Sequence, residues 1–128
     1  MGAYSVPKFP AGDSITGHAS AALTVGRFVK QTTTVPNGGC PVVGVPAAAA
    51  RVAYVTGEDA ASGAKVLLHQ PSQKVWVEAG ATLAPGDLVE TDNAGKAIVH
   101  SAGIVCGEVI QGGASGAACL IDFRPAFL

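Results

Sequence analysis

The clearest candidate for nucleophilic chemistry is Ser14, which stands in the sequence Gly12-Asp13-Ser14-Ile15. Some serine esterases carry their nucleophile in a Gly-Asp-Ser sequence that follows an apolar strand, with a late Asp-x-x-His that supplies the activating base. Here Pro7 and Pro10 precede the serine, and the chain contains no Asp-x-x-His. We therefore interpret this motif as a turn.

The spacing of the histidines and of the acidic residues gives little support to a metal site or to a catalytic pair of carboxylates. The three histidines, His18, His69 and His100, lie 51 and 31 residues apart, whereas zinc sites show short, recognisable spacings. We expect each histidine at a solvent-facing strand position. The nine Asp and Glu residues are scattered, and only 5% of residues are aromatic, which is too few to line a sugar-cleaving cleft. We expect no catalytic residue, no metal and no cofactor.

The glycine-bearing loops 57–65 and 112–116 are the remaining candidates, for phosphate binding. A phosphate loop needs Gly-x-x-x-x-Gly-Lys-Ser/Thr ahead of a helix, but Gly63 is followed by Ala64 and then by a strand-like run. Both loops are better explained as hairpin turns.

Composition limits the partners. The 128 residues are 48% hydrophobic but only 13% charged, with eight Lys and Arg against nine Asp and Glu. No basic stripe suggests nucleic-acid binding, and no apolar run approaches the length of a membrane helix. So few charges predict that apolar surface is covered in a homo-oligomer or against a larger partner. The three separated cysteines, Cys40, Cys106 and Cys119, are expected as buried thiols in a reducing compartment.

Short runs of Val, Ile, Leu and Thr between Gly- or Pro-marked breaks are typical of an all-β sandwich or barrel. The predicted strands are 15–19, 27–35, 42–45, 51–56, 65–70, 74–78, 87–91, 96–100, 104–110 and 117–123. In the run 74–78, alternation places Val75 and Val77 on one face and Trp76 on the other. Residues 1–12 are expected as an extended arm, ahead of a single β domain at 13–128.

The most informative pattern is an internal repeat. Ala-x-Leu-x-x-Gly-x-Φ-Val, where Φ is a large apolar residue, begins at Ala21 and again at Ala81, and Ala-Ser-Gly-Ala begins at Ala61 and again at Ala114. The order is the same in both copies, so we interpret 21–68 and 81–121 as two similar halves. We expect the halves to pair about a pseudo-twofold axis and to close one barrel or sandwich.

With these motifs in order, the chain resembles the small capsid decoration, or cement, proteins of tailed bacteriophages. The resemblance covers roughly 13–123 and rests on the repeat and on the approach Val75-Trp76-Val77-Glu78-Ala79-Gly80 to the second copy. It implies a compact, tulip-like β fold without catalytic residues. It also implies homotrimers at local threefold axes that bind the major capsid protein and stabilise the shell. The expected location is the outer surface of the virion, after synthesis in the cytoplasm of the host bacterium.

Two surfaces are predicted to make the contacts. The arm, with Tyr4, Val6 and Phe9 as anchors, is expected to bind the capsid and is able to add a strand to a neighbour's sheet edge. The tail, with Phe123, Phe127 and Leu128, is expected at the trimer interface.

Two other classes remain open. A small ligand- or carbohydrate-binding β module would place Trp76 and Tyr54 over one groove, and a small esterase would react at Ser14 with a fluorophosphonate probe.

Overall fold

The computed structural model describes residues 14–33 and 40–125, and this part of the chain contains ten β-strands and no helix. The strands are β1 Ile15–Ala19, β2 Phe28–Gln31, β3 Val42–Gly44, β4 Tyr54–Thr56, β5 Lys65–His69, β6 Lys74–Glu78, β7 Leu88–Thr91, β8 Ala97–Val99, β9 Gly107–Gln111 and β10 Ala118–Phe123. Each predicted strand is present, which confirms the all-β fold class. Several are shorter than expected, and the stretch before Tyr54 is irregular, with Ala49 at a φ of 63°.

The ten strands form two sheets that divide the chain at residues 70–73. Strands β1–β5, the first half, form a closed barrel in the order β1-β3-β2-β4-β5. Strands β6–β10, the second half, form a five-stranded sheet in the order β6-β10-β9-β7-β8. The two orders are equivalent when β6–β10 are taken, in chain order, as the counterparts of β1–β5. In the second half, a single parallel bridge from Ala79 to Ala97 joins β6 to β8, the counterparts of β1 and β3.

The two halves have equivalent strand orders and form two sheets, which fits the predicted small barrel or sandwich, although they do not share one closed barrel. Each half forms its own sheet, because the strands of each pair only with one another. The first half closes through the parallel pairing of β1 with β3, at His18–Val42 and Ala19–Val43. At the corresponding place, the second half has only the single bridge between Ala79 and Ala97, which leaves an opening between β6 and the turn before β8.

A similar hairpin turn precedes the last strand of each half. Gly63 and Gly116, the glycines of the two Ala-Ser-Gly-Ala sequences, have φ values of 81° and 90°, a conformation that glycine adopts without strain. The N–H of Gly63 donates to the carbonyl of Ala19, and the N–H of Gly116 donates to the carbonyl of Ala79, both at 2.8 Å. The same sequence therefore makes the same turn at the end of the equivalent strand, β1 in the first half and β6 in the second.

Residues of the first half fill the opening in the second sheet. The N–H of Glu78 in β6 donates to the carbonyl of Gly26 at 2.8 Å, and the N–H of Phe28 donates to the carbonyl of Gly95 at 2.7 Å. Residues 26–28 thus lie between β6 and the turn that leads into β8. The two halves are joined by backbone hydrogen bonds as well as by side-chain packing.

The described residues form two hydrophobic cores, and only one of these cores is built from a single half. The barrel core is built from first-half residues alone: Ile15, Ala19, Leu23, Val29, Val43, Val66 and Leu68. The second core combines eleven second-half residues with Phe28, Val52 and Val55 of the first half. Burial of these three side chains attaches the barrel to the second sheet.

A charged cluster closes the same junction at the surface. Glu78 pairs with Arg27 at 3.2 Å and with Lys96 at 3.0 Å, and Arg27 also donates to the carbonyl of Ala94 at 3.1 Å. The hydrogen bond from Lys96, together with the charge and hydrogen bond of Arg27, holds the pKa of the Glu78 carboxyl below its ordinary value of 4.5. The carboxylate therefore stays charged and paired at neutral pH.

Candidate functional site

The predicted contact residues fall in three places. Tyr4, Val6 and Phe9 of the arm, and Phe127 and Leu128 of the tail, lie outside the described residues. Phe123 is described, and its side chain lies in the interior of the chain; the trimer interface itself stays a prediction.

Phe123 has no exposed surface, because its side chain is part of the second core. Its ring packs against that of Phe28, with the centroids 5.9 Å apart. A side chain buried in this way holds the two halves of one chain together and leaves no area for a second subunit. The sequence signal was ambiguous, since a Phe at the end of the last strand suits either location.

A groove between the two halves, which we call the Trp76 groove, brings polar and aromatic side chains together. It has a volume of about 310 Å³. Its lining is Val25, Thr56, Gly57, His69, Gln73, Lys74, Val75 and Trp76. Four of these residues come from the barrel, so the groove exists only because the halves are docked.

Trp76 reaches this surface through strand alternation. In β6, Val75 and Val77 are buried while Trp76 is 51% exposed, as the sequence predicted. Val25, across the groove, is 48% exposed. A second depression, of about 240 Å³, is also lined by Trp76 and Val25, together with Gly116 and Ala118 among others. Trp76 is thus an exposed aromatic side chain that borders two shallow depressions.

Two small-residue features form the floor of the Trp76 groove. Gly57 lies so close to Leu67 and His69 that a Cβ there would be 2.9 Å from Cδ2 of Leu67. The hydroxyl of Thr56 donates to the carbonyl of Thr24 at 2.7 Å, which fixes the loop that carries Val25. The barrel wall of the groove is therefore rigidly positioned.

Ser14 and His69 meet at one end of this groove. The Ser14 hydroxyl and Nδ1 of His69 are 3.0 Å apart, and partial burial lowers the pKa of the His69 imidazole, which favours its neutral form. Within the described residues, no carboxylate hydrogen-bonds the other ring nitrogen. The pair thus lacks the third group that orients a catalytic imidazole, and we interpret it as the contact that fixes the start of β1.

The acidic residues beside the turns have structural roles. The carboxylates of Asp59 and Glu58 accept backbone N–H groups of Val25 and Leu67 at 2.7 and 2.9 Å, as expected for acidic residues beside turns. No cluster of His, Cys, Asp and Glu in residues 14–33 and 40–125 is arranged to hold a metal ion. Among the same residues, no helix is long and apolar enough to span a bilayer.

The arrangement expected of a carbohydrate-binding module is not formed. Tyr54 is half-buried against the barrel core, and it lines neither depression beside Trp76. Tyr54 and Trp76 therefore do not line the same one of these depressions, and no sequence pattern distinguished their positions.

Comparison with known proteins places the fold. No protein-family model matches the chain, and no curated protein is significantly similar to it. Among solved structures, the chain is similar to the head fiber gp8.5 N base of bacteriophage phi29, with a TM-score of 0.70 and 19% sequence identity. The match covers 91% of this chain and 98% of the phage chain. At this identity the similarity demonstrates a shared all-β fold.

Proposed function

We propose that this protein is a structural component of a phage head that decorates the outer surface of the capsid and stabilises the shell. The observation that carries the proposal is the fold shared along nearly the whole chain with the base of a phage head fiber. Both the fold similarity and the sequence resemblance support the proposal: the resemblance rests on short motifs, and the fold comparison on backbone geometry.

The exposed apolar side chains suit a protein whose surface is buried against its partners. Trp76, Leu88 and Val99 are each about half exposed, at 51%, 48% and 47%, and the chain has few charges to keep such a surface in water. Apolar contacts contribute about 25 cal/mol for each Å² buried, so shallow contacts with several capsid subunits add to a stable attachment. The partners in this proposal are the major capsid protein and two further copies of the chain.

The terminal segments supply the remaining contacts in this proposal. Tyr4, Val6 and Phe9 of the arm bind the shell, and Phe127 and Leu128 of the tail pack between copies in a trimer. The protein is made in the host cytoplasm and acts on the virion. Its role is mechanical and requires no catalytic residue.

The test is to mix the purified protein with expanded empty heads of the phage that encodes it, and to sediment the mixture. We expect saturable co-sedimentation, and slower release of DNA from decorated full heads on heating. Light scattering after size-exclusion chromatography measures the number of copies in solution. A protein that stays in the supernatant at all concentrations would contradict the proposal, whatever its mass.

A further inference from the structure

Strand β6 forms one edge of the second sheet, and β10 is the strand with which it makes its ladder. The N–H of Ala79 and the carbonyl of Gln73 form hydrogen bonds of 2.9 and 3.0 Å on the β10 side. Backbone groups in an antiparallel strand alternate between its two sides. The N–H and C=O groups of Lys74, Trp76 and Glu78 therefore face away from β10.

Residues 26–28 of the first half occupy only part of this edge. The N–H of Glu78 donates to the carbonyl of Gly26 at 2.8 Å. Among residues 14–33 and 40–125, no hydrogen-bond partner meets the edge-facing backbone groups of Trp76 and Lys74. Two backbone donors and two backbone acceptors thus lie side by side along a short open edge, and such an edge is a template for another strand.

The open part of the edge borders the Trp76 groove. Lys74 and Trp76 line the groove from the sheet, while Thr56, Gly57 and His69 line it from the barrel. Because of this second wall, β6 of another copy, which lies beside its own barrel, is poorly placed to reach the edge. A single extended chain, which needs about 4.8 Å of space beside a strand, is the occupant that these backbone groups favour.

The side chains beside the edge indicate which extended segment fits. Trp76 and Val25 are about half exposed and offer apolar surface. The Lys74 side chain is 60% exposed and lies 4.0 Å from Asp122 in its ion pair, and the groove lining contains no acidic residue. Apolar pairs and pairs of opposite charge stabilise neighbouring strands. The matching segment carries an apolar residue opposite Trp76 and an acidic residue opposite Lys74, two positions apart.

We infer that an extended segment of the major capsid protein adds a strand to the open edge of β6, through the backbone of Lys74 and Trp76. The inference rests on the proposed function for its choice of partner. Hydrogen bonds between backbones fix the register of the two chains. This contact therefore sets the orientation of the protein on the shell, which apolar contacts alone do not.

Amide exchange followed by NMR tests the edge in the isolated full-length protein. The N–H groups of Lys74 and Trp76 should exchange at least about 100-fold faster than those of Val75 and Val77, which face β10. Equal protection of Trp76 and Val77 would overturn the inference, because the edge would already be occupied, whether by another part of the chain or by a second copy.

The probe for the partner is a set of overlapping peptides, about 12 residues each, that cover the major capsid protein of the same phage. The protein should bind peptides with the apolar and acidic residues two positions apart, and binding should slow exchange of the Trp76 N–H. Lys74→Pro removes one edge-facing N–H at the first residue of an edge strand, where proline is tolerated. It should bind at least about tenfold more weakly than Lys74→Ala, which loses the same charge but keeps the N–H.

Equal binding by these two variants would overturn strand addition, and so would a failure of every peptide to bind the wild type. Circular dichroism shows whether Lys74→Pro is folded. If it is not, exchange at Trp76 in the wild-type complex decides, and an unchanged rate overturns the inference.

The peptides also separate this inference from the proposed function. A protein that sediments with heads but binds no peptide would keep the proposed function and lose this contact. A protein that binds a peptide at Trp76 but never sediments with heads would keep the strand-addition site and lose the decoration role.

Discussion

The rings of Phe28 and Phe123 face each other at 5.9 Å between centroids, inclined by 33°, with no exposed surface on either side chain. Phe28 belongs to β2 of the barrel, and Phe123 ends β10 of the second sheet. The pair therefore lies at the centre of the contact between the halves.

Phe28→Ala should lower the free energy of unfolding by about 3–5 kcal/mol, the usual cost of removing a buried aromatic side chain. The matched control is Leu88→Ala, because Leu88 occupies the same place in the second copy of the repeat but is 48% exposed. That change should cost less than about 1 kcal/mol. Urea unfolding followed by circular dichroism measures both, and equal losses would show that Phe28 does not hold the halves together.

Glu78→Gln should remove the stabilisation of the contact between the halves that is lost at acidic pH. Because the pKa of Glu78 is depressed in the folded protein, its pairing stabilises the fold above pH 4.5, the ordinary value, and this contribution is lost as the pH falls through the depressed pKa. The variant should be less stable by about 1 kcal/mol at pH 7 and should lose less stability than the wild type on acidification. Thermal melts between pH 7 and pH 2.5 test this, with Glu108→Gln, an exposed carboxylate on β9, as the control. A wild-type acid profile in the variant would exclude a role for Glu78.

Gly95→Ala should be far more damaging than Gly116→Ala, although both glycines have positive φ, 81° and 90°. At Gly116 a Cβ would meet nothing within 4 Å, so that variant measures the backbone penalty alone, about 1–2 kcal/mol. At Gly95 a Cβ would collide with the carbonyl oxygen of Phe28 and with Arg27. Chemical denaturation compares the two variants, and similar losses would mean that the junction relaxes without cost.

Thiol labelling should separate Cys40 from the other two cysteines. Cys106 and Cys119 are fully buried, and burial raises the pKa of the Cys106 thiol to about 12, which leaves almost no reactive thiolate at pH 8. Cys40 is half-buried. Ellman's reagent should modify one thiol in the native protein and three in urea, and Cys40→Ser should abolish the native reaction. Rapid native labelling of that variant would show that the second core opens.

Strand positions followed closely from the sequence, because they depend on local signals. Alternation at Val75, Trp76 and Val77 indicated the buried and exposed faces of β6 correctly. The two Ala-Ser-Gly-Ala sequences identified equivalent hairpins through the conformational preference of glycine. That the similarity of the halves records a duplication, with 13–128 as a single domain, stays a prediction.

The relation between the halves was not predictable in the same way. Phe28 and Leu88 occupy the same motif position, yet one is buried and the other is about half exposed. Their cross-strand partners, Val55 and Glu108, differ in polarity, which is consistent with this outcome, but only the docked structure shows which half covers the other. The Trp76 groove was missed for the same reason, since its walls come from both halves.

The asymmetry between a closed barrel and an open sheet has a consequence for synthesis. The barrel core uses only residues that leave the ribosome before residue 70, so the barrel has all of its own partners before the second half is made. The second core needs Phe28, Val52 and Val55, which that barrel already displays. Translation from the N-terminus thus completes the sequence of the barrel first, and the later strands then have its exposed apolar side chains on which to assemble.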